Sequence, residues 1–107
     1  MFRMQADTLK TEFVPKYLAQ GESKFYRFLI MYAVNKFVFI QKGTYKGISP
    51  ELELLDYYDQ LIILYRREGE EVYLQLAKLF RKAAHKIYRT MLKNDMIPHN
   101  AKFLNLV

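Results

Sequence analysis

The stretch 70–94, EEVYLQLAKLFRKAAHKIYRTMLKN, decides the fold class. Val72, Tyr73, Leu76, Phe80, Ala83, Ile87 and Met91 recur at helical spacing, so at about 100° per residue they share one side of a helix. The other side carries Lys78, Lys82, His85, Arg89 and Lys93, spaced by four, three, four and four, with Arg81 and Lys86 flanking them. Such a helix must lay its apolar stripe against a partner and leave the charged side in water.

The partner lies just upstream. Leu54, Tyr58, Leu61 and Tyr65 recur at spacings of four, three and four, with Leu55 and Ile62 beside them and Glu53, Asp56 and Gln60 opposite. Ser49-Pro50-Glu51 supplies a capping residue, a first-turn proline and an acid suited to the positive end of the helix dipole. Arg66, Arg67, Glu68 and Gly69 close the helix with positive charge and a residue able to turn left-handed. So short a connection predicts an antiparallel hairpin with the helix that follows.

Further upstream, Phe25 to Ile40 is apolar almost all the way round, which predicts a central helix covered on several sides. Its 16 residues, interrupted by Arg27, Asn35 and Lys36, fall short of the about 20 needed to span a membrane. A strand over Lys36 to Tyr45 would have no partner strand. Leu9, Phe13, Tyr17 and Leu18 form a weaker helical pattern, and Pro15 within it predicts a short helix, a kink or a break. Gln41 to Ile48 is expected to be a loop, and its Gly43-Thr44-Tyr45-Lys46-Gly47 lacks the order of a phosphate-binding loop. Residues 95–107 form a tail beyond Asn94, where Pro98 stops the pattern. Its apolar end, Phe103-Leu104-Asn105-Leu106-Val107, is expected to pack back onto the bundle, with partner binding as the sharper alternative. The expectation is an all-α single domain, 1–107, built as a small bundle of three to four helices with an antiparallel C-terminal hairpin.

The absence of cysteine excludes disulfides and thiolate metal sites, and MFRMQADTLK has no apolar run after its arginine. A reducing, cytoplasmic setting is expected. With two histidines, His85 and His99, and no cluster of ligands around either, no metal or cofactor is expected, and no nucleophile with a positioned base points to an enzyme.

Charge is the informative feature. Six of the chain's 17 Lys and Arg lie between Val72 and Asn94 with no Asp or Glu among them; the remaining 11 balance the 11 acidic residues, so the segment from Val72 to Asn94 accounts for the whole net charge of +6. A solubilising face ordinarily interleaves Glu with Lys at spacings of three and four. A row about 22 Å long, at 1.5 Å per residue, has the reach to follow a polyanion, against the plain alternative of a solvated face with cations suited to the helix's carboxyl end. The expected function is therefore a non-enzymatic accessory or regulatory subunit contacting nucleic acid, or else an acidic protein surface, through Lys78, Arg81, Lys82, Lys86, Arg89 and Lys93. The alternative is a protein-interaction module or homo-oligomer, using the central apolar helix and the tail, or pairing the acidic side of Glu53, Asp56 and Asp59 with the basic row of another copy. Tyr57, Tyr58, Tyr65, Tyr73 and Tyr88 are expected to seal helix interfaces in preference to stacking on bases, with Tyr88, beside the basic row, the open case.

Overall fold

The computed structural model describes residues 7–41 and 49–93, apart from the side chains of 37–41 and 92. The described chain is all-helical, with four helices and no strand. Helix α1 begins as a π-helical segment, Leu9–Phe13, and continues α-helically over Val14–Gln20. It is followed by α2 (Glu22–Gln41), α3 (Pro50–Glu68) and α4 (Glu71–Lys93). The tail beyond Lys93, His99 and the segment Gly43 to Gly47 lie outside the described residues.

The C-terminal hairpin is as expected. Gly69 ends α3 in the left-handed conformation (φ 73°, ψ 9°), its N–H donating to Tyr65 O at 2.8 Å, and α4 returns after Glu70. Leu54, Leu55, Tyr57, Leu61 and Leu64 of α3 are buried, as are Tyr73, Leu76, Ala77, Leu79, Phe80, Ala83, Ala84, Ile87, Tyr88 and Met91 of α4. Each of the larger aliphatic or aromatic side chains among them contributes about 1.5–3 kcal/mol through water exclusion.

Two expectations need correction, and a third is narrowed. Pro15 does not break α1. The chain widens by one residue just before it: Val14 N–H donates to Leu9 O, an i to i−5 bond, and the helix runs on through the proline to Gln20. α2 is not covered all round. Phe25, Leu29 and Ala33 form its buried stripe, whereas Met31 is 57% exposed and Val34 41%. The helix lies on one side of the hairpin, so its opposite face has no neighbour among the described residues. Finally, Ser49 does not cap α3 with its side chain; its carbonyl accepts from Glu53 N–H at 3.0 Å. The strand reading of Lys36 to Tyr45 also fails as far as Gln41, because α2 extends to that residue.

Phe13 joins the layers. Its ring meets Phe25 (6.2 Å between centroids), Phe28 (6.0 Å), Tyr32 (6.3 Å) and Tyr57 (5.3 Å) edge-on, and Phe80 at 5.7 Å in a tilted contact. One α1 side chain thus touches all three other helices. At the far end of the hairpin, Lys10 pairs with Glu68, Tyr73 Oη donates to the same carboxylate at 3.2 Å, and Tyr17 Oη donates to Gln75 Oε1 at 3.0 Å.

Two outcomes follow. Phe13→Ala leaves a cavity shared by four helices and is expected to cost about 3–5 kcal/mol in urea unfolding. The two connecting glycines should respond unequally to alanine, although neither added Cβ meets an atom within 4 Å. Gly21 (φ 86°, ψ 172°) occupies a region that only glycine adopts readily, so Gly21→Ala is expected to cost about 2–3 kcal/mol. Gly69, in the ordinary left-handed well, should lose about 1 kcal/mol.

Candidate nucleic-acid interface

α4 is an amphipathic helix whose buried stripe fixes the direction of everything else on it. Lys78, Arg81, Lys82, Lys86, Arg89 and Lys93 all reach solvent, as their spacing requires. Among the described residues none of the six pairs with a carboxylate; the two salt bridges, Lys10 with Glu68 and Lys36 with Glu53, lie elsewhere.

His85 differs from its neighbours in the row. It is half-buried with Nε2 enclosed, and burial first, then Arg81 and Arg89 one turn to either side, hold its imidazolium below the ordinary range. The uncharged ring is thereby favoured over the charged one. The row therefore divides into Lys78 with Lys82 and Arg89 with Lys93, their nearer members about 10 Å apart along the axis.

The first of these pairs borders a notch of about 310 Å³ lined by Glu22, Ser23 and Tyr26 of α2 and by Lys78, Leu79 and Lys82 of α4. Lys82 Nζ stands 4.8 Å from the centroid of the Tyr26 ring. Sequence reasoning missed Tyr26, because periodicity along α2 does not reveal which of its aromatics meets α4. The tyrosines it did consider are placed otherwise. Tyr57, Tyr73 and Tyr88 are buried, Tyr88 to 1% exposure, and Tyr58 and Tyr65 are half-buried. Tyr88 is thus a core residue despite lying next to the row.

The acidic side of α3 is already engaged within the chain. Glu53 accepts from Lys36 Nζ at 2.8 and 2.9 Å and from Tyr32 Oη at 3.2 Å. Asp56 and Asp59 also have partners of their own. Beneath this group, burial pushes the Tyr57 hydroxyl above its ordinary range, reinforced by Tyr32 and Glu53 and opposed by Lys36. Among the described residues no group of His, Asp or Glu is placed to hold a metal ion, and no helix is long and apolar enough to cross a membrane.

No protein family matches the chain, and no curated protein or solved structure shows significant similarity to it.

Glu51 is the one acidic side chain recorded as buried among the described residues, 2% exposed, and its Oε1 has no hydrogen-bond partner there. Burial raises its pKa above the ordinary carboxyl value, while its own backbone N–H and the Ser49 hydroxyl oppose the rise. The folded state then holds this proton more tightly than the unfolded chain. The contribution to stability is fully present below the ordinary carboxylate range and is lost as pH rises through the raised folded value. Glu51→Gln should remove this dependence: in thermal melts between pH 4 and 8 (about the range that matters for a raised carboxyl), the variant gains on the native chain as pH increases.

Proposed function

We propose that the protein is a non-enzymatic helical accessory or regulatory subunit that contacts nucleic acid through the solvent face of α4. The observation that carries this reading is the exposure of all six cations on the face away from the core, without a carboxylate partner among the described residues. A solvated face that served solubility alone would gain from interleaved acids, since pairs three and four apart stabilise a helix and like charges at those spacings oppose it. The arrangement gains energy when an external polyanion replaces the missing acids and releases its counterions. The engagement of Glu53 by Lys36 weighs against another copy's row as the complement of this face.

A second reading is favoured by the bare side of α2. Met31 and Val34, roughly one turn apart, are large apolar side chains left in water, as a protein-interaction surface would have them. The two surfaces belong to different helices and can act together.

Titration of binding against salt distinguishes the readings. If Lys78, Lys82, Arg89 and Lys93 each neutralise one phosphate, the logarithm of the duplex binding constant falls against the logarithm of salt with a slope of about −3.6. The double change Lys82→Glu with Arg89→Glu should reduce that slope by about 2 and abolish retention on DNA, with stability changed by no more than about 1 kcal/mol. Retention that survives the double change would sink the proposal.

A further inference from the structure

We infer that the notch between the start of α2 and the first half of α4 seats one unstacked nucleotide, so that the chain prefers single-stranded to duplex nucleic acid. The inference rests on α4 being the nucleic-acid contact, and adds to it the kind of strand recognised.

Lys78 and Lys82 belong at once to the row and to the wall of the notch. A backbone following the row therefore passes the mouth of the notch, where its attached base can turn inward. The lining suits such a base better than a bare phosphate. Tyr26 offers ring surface beside the nearly enclosed Leu79, whereas Ser23 and Glu22 offer hydrogen-bonding groups. A carboxylate in the wall repels an isolated anion, but it accepts hydrogen bonds from the amino and imino groups on base edges. Anionic phosphate, flat apolar face and polar donor edge occur together in a nucleotide.

Lys82 links the two halves of the site. Its ammonium lies over the Tyr26 ring in the free protein, a weak attraction at an exposed position. A phosphate arriving on the row offers a stronger, charge-assisted partner. Movement of Lys82 to that phosphate uncovers the ring for the base, so that backbone and base binding reinforce one another. In a duplex the bases are already paired and stacked, and only the backbone half of this exchange is open to it. Stacking on an aromatic platform is tolerant of base identity, so weak sequence preference is expected.

The test compares short labelled single-stranded and duplex oligonucleotides of equal length by fluorescence anisotropy at one salt concentration. Native protein should bind the single strand more tightly. Tyr26→Leu should weaken single-strand binding by about tenfold and leave the duplex unaffected, while Tyr26→Phe retains the native preference. Arg89→Glu, outside the notch, should weaken both. Should Tyr26→Leu compromise folding, judged by circular dichroism, Ser23→Phe gives a second approach: Ser23 is exposed, and a ring there fills the notch without disturbing the core. It is expected to cause the same selective loss. Equal, salt-sensitive binding of both nucleic acids, or equal loss of both in Tyr26→Leu, overturns the notch and leaves the α4 contact standing. Failure of the native protein to bind either one overturns both.

Discussion

Everything in this molecule depends on the contact of one phenylalanine with three helices. Phe13 meets Phe25, Phe28 and Tyr32 on α2, Tyr57 on α3 and Phe80 on α4. Edge-on aromatic pairs of this kind add about 0.5–1.5 kcal/mol each beyond the area they exclude from water. The π-helical segment carries that ring: Leu9 and Phe13, four residues apart, share its buried side, and the helix continues through Pro15 into the second half of α1. The widened turn, the proline and a continuous helix thus coexist with a filled core.

From that core the orientation of the surface follows. α3 and α4 give their apolar stripes to one another, and α2 closes one side with Phe25, Leu29 and Ala33. The remaining face of α4 has nowhere to go but outward. The polar contacts around the core join elements without intruding on this face. Glu53 holds Lys36 and Tyr32 across α2 and α3, and Glu68 holds Lys10 and Tyr73 at the hairpin turn. The carboxylates that form these ties are consequently unavailable to quench the basic helix.

The hairpin was legible because its signals are local and agree with one another. Periodicity, the first-turn proline, and Gly69 behind two arginines all indicate the same boundaries. Charge on α4 was equally plain, since exposure opposite a strong apolar stripe follows from helix geometry alone. α2 was harder: an apolar composition all round does not say which side will be covered, and that is decided by how it packs on the hairpin and α1 together. Tyr26 went unnoticed for the same reason, its place in the notch being a property of two helices. At Pro15 the expected disturbance was real, and it took the form of a widened turn in place of a break. Glu51 looked like a dipole partner in the sequence and proved to be an enclosed carboxyl, a tertiary outcome that no local pattern encodes.

The acid-free face also sets an internal tension. Lys78 with Lys82, Lys82 with Lys86, and Arg89 with Lys93 stand four residues apart, and each like-charged pair opposes the helix by roughly 0.2–0.5 kcal/mol. In the free chain α4 is therefore held together by its buried side against repulsion on its exposed side. Ions in solution act on the two processes with opposite sign. They relax this repulsion, easing the strain on the isolated helix, and at the same time compete with any bound polyanion for the same ammonium and guanidinium groups.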